Sequence, residues 1–291
     1  MGHFSTIGDL EVLATVSEWL EKSQLAYDIA PFEGAYRQIL PRSVDWRKAH
    51  PENYGAVVFV CGPMVDSTYL PGFFERFINC PIFGVNLSVG SWLNGFSPFT
   101  KLWARDDGDL ILPDLSLLYR ETKVPVVGVC LIHAQEEYKG RQRNDLVEAM
   151  VNEFLRRRDL AVIRWDTEAL PSRNICRLGS VNAITSLVRC CDVVITSRLH
   201  GTVLSLKQGI PVLAIDSVMG GAKVLAQASV LGWPHAVPAD ELSLDWLDSR
   251  FEQCLSSESR DLARSCALAS ERQLSTLEGE FRHFLETSLR R

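Results

Sequence analysis

The chain lacks the Cys and His spacings that build zinc sites, and it has no CxxC pair, although 8 cysteines are spread over its 291 residues. Structural zinc and thioredoxin-type redox chemistry are therefore set aside, and no metal is expected. Cys190 and Cys191 stand side by side next to an apolar run. They read as free thiols of a reducing compartment, behaving as small apolar side chains. No apolar run reaches the roughly 20 residues that a spanning helix needs. The opening residues lack both the basic region and the apolar run of a secretion signal. The expectation is a cytoplasmic protein. There is no basic excess: the net charge is −6, which argues against nucleic acid as a partner. Internal repeats, low-complexity runs and long linkers are absent as well.

What remains is an ordinary globular composition, 46% hydrophobic and 23% charged, long enough for one large domain or two medium ones. Leu10–Glu21 has apolar residues at helical spacing, with Asp9 as a natural N-cap. Leu25–Ile29 reads as a strand. Ala56–Val60 and Ile82–Leu87 read as buried strands, the first ending at the Cys61-Gly62-Pro63 turn. Trp92–Asp109 reads as irregular. A second alternating set begins near Val124. It comprises strand Val126–Cys130, helix Asn144–Arg157, strand Ala161–Trp165, helix Ser180–Arg189 and, later, helix Gly221–Leu231. Strands alternating with helices predict parallel α/β packing. Beyond about Asp240 the pattern is helical. Leu274, Leu277, Phe281, Phe284 and Leu285 form one stripe, expected to pack on the body of the protein rather than in a coiled coil with a partner.

The most informative stretch is Cys191–Val212. Asp192 precedes an apolar strand, Val193–Thr196. Then come Ser197-Arg198-Leu199-His200-Gly201, a short helix ending at Gly209, and a second strand from Pro211 to Ile215. Arg198 and His200 thus stand where a strand meets a helix. Orphan N–H groups and the positive end of the helix dipole gather at such a point, so it attracts anions. An arginine adds a bidentate donor for phosphate or carboxylate, and a histidine adds a proton carrier near neutral pH.

This block, an Asp, an apolar strand, Ser or Thr, Arg-Leu-His, a small-residue helix and Gly-x-Pro, resembles the signature of the polysaccharide pyruvyltransferase family. Three weaker echoes accompany it. Gly8-Asp9 precedes a helix, as in the family's Gly-Asp loop. Pro113-Asp114-Leu115 is similar to the family's Asp at the end of its first domain. Lys223 stands in a position like the family's Lys after the second strand. The resemblance spans roughly Gly2 to Val237. It implies two Rossmann-like halves of GT-B type: 1–120 on the acceptor side, 121–239 with the Arg-Leu-His donor site, and 240–291 as helices packed on the body. Two departures stand out. Only seven residues precede Gly8, so either the family's first strand is missing or the true N-terminus is longer, and eight residues separate Arg105 from Asp114, which leaves little room for the family's helix. Arg105 is therefore not counted among the site residues.

The activity implied is transfer of a pyruvyl group from phosphoenolpyruvate to two hydroxyls of a sugar, forming a ketal. Such a site must hold a phosphate and a carboxylate, protonate a vinyl carbon and accept hydroxyl protons. Arg198 fits an anion clamp; its bland alternative is a salt bridge to Asp192 or Asp216. His200 fits a general acid or a donor to the phosphate, with a pKa lowered by the helix start, or else a cap or packing residue. Leu199 and Gly8 complete the two motifs. Lys223 is a second cation or a solvated lysine. Asp9 would orient or deprotonate an acceptor hydroxyl, or only cap its helix. Asp114 is a site residue or a turn former. His133, after strand Val126–Cys130, would contact an acceptor or a phosphate. The other histidines, including His50, His235 and His283, read as surface or packing residues. No cofactor is implied beyond the donor substrate. The partners are that small-molecule donor and a sugar or glycan acceptor, and a lipid-linked acceptor would bring peripheral membrane contact. Two other readings stay open: a nucleotide-sugar glycosyltransferase with Asp216 holding a ribose, and a non-catalytic relative. The acceptor, its linkage and the oligomeric state are not written in any sequence feature.

Overall fold

The computed structural model describes residues 1–2, 4–64, 70–89, 97–106, 111–132, 140–169, 176 and 178–289. The chain divides into two compact units, Met1–Thr122 and Lys123–Arg291.

Unit 1 begins with α1 (Ile7–Lys22) and continues through β1 (Val57–Val60), α2 (Leu70–Arg76), β2 (Ile82–Leu87) and β3 (Lys101–Ala104). The three strands are parallel, in the order β1-β2-β3. Alternation along β1 sends Phe59 into one apolar cluster with Phe73 and Phe77, and Val60 into another with Val12 and Val16 of α1. The N-cap of α1 is Thr6, not Asp9. Thr6 accepts from the Asp9 N–H while the Asp9 carboxylate accepts from the Thr6 N–H, a reciprocal capping box. No strand precedes α1 among the described residues, but Met1 bonds to the edge of β1: its nitrogen donates to Val58 O at 2.9 Å, and Val60 N donates to Met1 O at 2.7 Å. Gly2 continues this edge, donating to Ala30 O and accepting from Phe32 N. A Cβ on Gly2 would fall 1.9 Å from Val60 O, so the close approach requires glycine. Two strand expectations also fail in this unit. Leu25–Ile29 is not a strand; Ile29 makes an isolated bridge to Ser43. β3 lies inside the stretch expected to be irregular, where a four-residue edge strand with an exposed Lys101 carries too little apolar signal.

Unit 2 contains β4 (Val126–Cys130), α3 (Asn144–Arg156), β5 (Ala161–Arg164), α4 (Val181–Arg189), β6 (Val193–Thr196), α5 (Leu199–Lys207), β7 (Val212–Asp216), α6 (Lys223–Val230), β8 (Ala236–Pro238), α7 (Leu244–Cys254) and α8 (Ser257–Leu289). The sheet is parallel, ordered β5-β4-β6-β7-β8. All of β6 and β7 is buried, as strands covered on both faces must be. Each unit thus has the expected α/β layering, and the C-terminal helical segment is also present. β8 escaped the sequence reading because it is three residues long. Asp192 fastens the amino end of β6: its carboxylate accepts from Val126 N, Lys123 Nζ and Arg260 Nη2, the last at the start of α8.

The expectation for 240–291 holds only in part. α7 buries Leu247, Phe251 and Cys254, and α8 buries Ser259, Ala263 and Cys266. From Glu271 to Leu289 every residue of α8 is exposed, including Leu274, Leu277, Phe281, Phe284 and Leu285. Helical spacing shows which residues share a face, not what covers that face. Among the described residues, no helix is long and apolar enough to cross a membrane.

Candidate functional site

In unit 2 the chain runs from β4 outward to β5 and then back to β6 on the other side of β4. The strand order therefore reverses between β4 and β6, and in open parallel sheets ligands bind beyond the carboxyl ends at such a reversal. Leu131, Ile132, Ser197 and Arg198 emerge there. The two strand ends are wired together: Thr196 Oγ1 donates to Cys130 O at 2.6 Å, and Ile132 N donates to Ser197 Oγ at 2.8 Å. Thr196 Oγ1 also accepts from Arg198 N at 3.1 Å. α5 starts directly at this point, with Arg198 in extended conformation as its N-cap residue. Gly201 lets it come so close: a Cβ there would stand 2.2 Å from Thr196 Oγ1.

The Arg198 side chain is gripped by Asp166, which follows β5. Nε lies 2.9 Å from Oδ1, and Nη2 donates to Oδ2 at 3.2 Å. The Asp166 side chain is 5% exposed and that of Arg198 22%. The salt-bridge partner is thus neither Asp192, which fastens the far end of β6, nor Asp216. Asp216 is 1% exposed, and its carboxylate accepts from the N–H groups of Val218, Ala222, Val224 and Leu225, closing the turn into α6. A residue so enclosed cannot hold a ribose. The pair engages Nε and Nη2 and leaves Nη1 without a partner among the described residues. Cys130 lies under the pair; burial first, and then the Asp166 carboxylate, push its thiol up to about 12, so it stays protonated.

His200 is exposed on the first turn of α5, where no packing role holds it. Leu199, by contrast, packs against the core of the unit and is a structural member of the motif. Lys223 is the first residue of α6, after the carboxyl end of β7. His133 lies outside the described residues.

Gly8, Asp9 and Asp114 are brought together in unit 1, in a pocket of about 350 Å³ that also takes in Ser5, Thr6, Ser116 and Arg105. Arg105 donates to Asp114 Oδ2 at 2.5 Å and to Ser88 Oγ at 2.8 Å. Asn86 donates to the same Asp114 oxygen at 3.2 Å and accepts from Leu115 N. Asn86 sits at the irregular point of the β2–β3 pairing, with φ of +58°, a conformation that asparagine tolerates better than most residues. Burial pushes the Asp114 carboxyl up, but the Ser116 N–H, Arg105 and Asn86 outweigh it and hold the group below the usual carboxylate value.

Residues 134–217 match the polysaccharide pyruvyl transferase family. The matched segment runs from before α3 to the end of β7 and contains Asp166, Arg198 and His200. It bears out the resemblance carried by the Arg-Leu-His block, and it includes neither unit 1 nor Lys223. No curated protein matches the chain. Among solved structures, the calicheamicin glycosyltransferase is 14% identical, with a TM-score of 0.35 over 91% of this chain and 63% of its own, so the chain spans under two thirds of that relative. MurG of Acinetobacter baumannii is 12% identical, with a TM-score of 0.34 over 94% of this chain and 93% of its own. A spinosyn rhamnosyltransferase is 11% identical, with a TM-score of 0.34 over 89% and 74%.

Three polar residues of these sites were missed in the sequence: Asp166, Asn86 and Arg105. Asp166 had a signal, since it directly follows a strand on the edge where ligands bind. Asn86 was hidden inside an apolar strand, and Arg105 was set aside on spacing alone.

Proposed function

We propose that the protein is a transferase that moves the pyruvyl group of phosphoenolpyruvate onto two hydroxyls of a sugar. The observation that carries the reading is the placement of Arg198 and the α5 N-terminus at the strand-order reversal of unit 2, inside the segment that matches the family.

Asp166 holds the Arg198 guanidinium so that Nη1 faces the donor's phosphate or carboxylate. The first N–H groups of α5 supply further donors for the other anionic group. His200, on the same turn, delivers a proton to the vinyl carbon, which becomes the methyl group. The electron-poor carbon left behind is attacked by the first sugar hydroxyl, which forms a C–O bond and gives up its proton to a phosphate oxygen of the donor. The C–O bond to phosphate then breaks, and phosphate leaves with the bonding pair. The second hydroxyl adds, closing the ketal, and its proton goes to the departing phosphate or back to His200. The donor's phosphate is thus exchanged for two sugar oxygens with no change in oxidation state. Asp9 and Asp114, in the polar pocket of unit 1, are assigned to acceptor hydroxyls, with Arg105 fixing Asp114.

The test is ligand-induced stabilisation on the full chain, comparing phosphoenolpyruvate with UDP-, GDP- and CMP-sugars, on wild type and on Arg198→Ala. Stabilisation by phosphoenolpyruvate that the substitution removes is the expected result. Stabilisation by a nucleotide sugar instead would make the protein a glycosyltransferase.

A further inference from the structure

One face of α8 has two parts. Ala263, Ala267 and Ser270 lie on it where the helix packs against α5, and Ala263 is fully buried there. Small side chains of this kind let two helices approach closely. Leu274, Leu277, Phe281 and Phe284 continue the same face at steps of 3, 4 and 3, with Leu285 beside them. Large apolar side chains thus begin where the cover ends. These five are between 38% and 66% exposed. At about 200 Å² for a large apolar side chain, they show roughly 550 Å² of apolar surface on one face. That is at the upper end of what a monomer exposes as one patch.

Charge and spacing decide what covers it. Over residues 271–291 four glutamates stand against four arginines. The polar face therefore lacks the basic excess of a helix that lies on an anionic bilayer. The steps 3, 4 and 3 read the same in both directions. A second copy laid antiparallel meets the stripe in every layer, Leu274 against Phe284 and Leu277 against Phe281, each pair made twice about the two-fold axis. Every layer then holds one leucine and one phenylalanine. A parallel pair is blocked, because the second helix would run on along the face that α5 already covers. Two such stripes bury about 1,100 Å² in all, at the lower edge of a specific interface. Glu278 and Glu280 flank the seam beside the axis and face their own copies. Arg282 stands one turn after Glu278 and offsets it, whereas Glu280 has no arginine at that spacing.

We infer that the protein pairs with a second copy of itself through antiparallel α8 helices, sealed by the Leu274–Phe284 and Leu277–Phe281 layers. The small area and the facing Glu280 side chains make the pair weak, so it forms as concentration rises and separates on dilution. The inference is independent of the donor chemistry proposed for unit 2.

The experiment is sedimentation equilibrium of the full chain, from low micromolar to several hundred micromolar. The mass should rise from one chain to two across that range. Leu277→Gln and Phe281→Gln should each weaken the pair by roughly 10²-fold, because a symmetric interface loses the side chain twice. Both side chains are exposed in the single chain, so neither substitution threatens folding. Leu289→Gln removes an equally exposed leucine that lies off the stripe, and should leave association unchanged. Glu280→Gln reads the orientation. It should tighten the pair about two- to fivefold, because only the antiparallel register brings the two Glu280 side chains together. A single-chain mass at every concentration overturns the inference. So does a dimer that Leu277→Gln and Phe281→Gln leave intact, or one that Leu289→Gln weakens as much as they do. A dimer lost in those two variants but not tightened by Glu280→Gln would overturn the antiparallel register.

Discussion

Asp166 and Arg198 form a two-point ion pair, 2.9 and 3.2 Å, that joins the end of β5 to the start of α5 across β4. The pair fixes the guanidinium plane, so the arginine is pre-oriented before any ligand arrives. Two different losses are expected on Arg198→Ala. Donor binding should weaken by roughly 2–5 kcal/mol. The ligand-free protein should also lose stability, because the nearly buried Asp166 loses its two-point contact with the guanidinium. Asp166→Asn should destabilise the fold as well, yet retain part of the donor affinity, since Arg198 keeps its charge. Urea unfolding without ligand, set beside phosphoenolpyruvate titration, separates the two effects. Equal affinity in wild type and Arg198→Ala would remove Arg198 from the donor site.

His200 makes the opposite forecast. Its side chain is exposed, so His200→Ala should unfold within about 0.5 kcal/mol of wild type. Turnover, in contrast, should fall by roughly 10²–10⁴-fold if His200 moves the proton. Steady-state rates at saturating donor decide it: an unchanged turnover number sinks the proton-transfer role.

Much of this was legible in the chain itself. Val193–Thr196 and Val126–Cys130 were bounded correctly because buried parallel strands are continuous apolar runs between polar punctuation. Arg198 and His200 could be placed at a strand-to-helix junction for the same reason. The partner of Arg198 could not be named, because Asp166 is 32 residues away and meets it only once β5 and β6 flank β4. The capping residue of α1 was misassigned by three positions because Thr6 and Asp9 both suit a cap, and only the reciprocal bonds tell them apart. Arg105 was discounted for want of a helix before Asp114. The pairing in fact needs no helix, since a short link brings the two side chains together directly.

Gly201 sets up a contest between two known effects. Glycine in a helix costs up to about 1 kcal/mol relative to alanine, so Gly201→Ala would stabilise an exposed helix. Here the new Cβ would meet Thr196 Oγ1 at 2.2 Å, and Thr196 is buried and hydrogen-bonded. Overpacking of this kind costs roughly 1–3 kcal/mol, so destabilisation should win. A lower urea midpoint together with weaker donor binding is expected, since α5 must shift away from β6. A higher midpoint would mean that the helix start tolerates displacement and that the close approach is not required.

His235 gives stability a pH dependence near neutrality. Burial first, and the nearby Arg250 second, hold its imidazole below the ordinary histidine value, and it packs edge-on against Trp233. The folded state therefore prefers the neutral ring, whereas the unfolded chain takes up a proton near pH 6.5. Between the two pKa values the unfolded state holds more protons, so stability rises with pH there. The contribution is present above about pH 6.5 and is lost as pH falls through that region towards the lower folded value. His235→Leu should remove this slope. Urea midpoints at pH 5.5 and 7.5 test it; the same slope in the variant would assign the pH dependence to another group.

The exposed stripe of α8 permits a direct contrast with the core. Leu277 and Phe281 are 57% and 59% exposed, while Phe251, on the preceding helix, is 1% exposed and stacks edge-on with Phe154. Phe251→Ala should cost about 3–5 kcal/mol, the usual loss for a buried aromatic ring. Leu277→Gln and Phe281→Gln remove apolar side chains of similar size from a surface that no described residue covers. Each should change the unfolding free energy by less than about 0.5 kcal/mol. The measurement is urea unfolding of all three variants at low protein concentration. A loss at Phe281 approaching that at Phe251 would mean that the stripe is buried in solution, and hence that something covers it there.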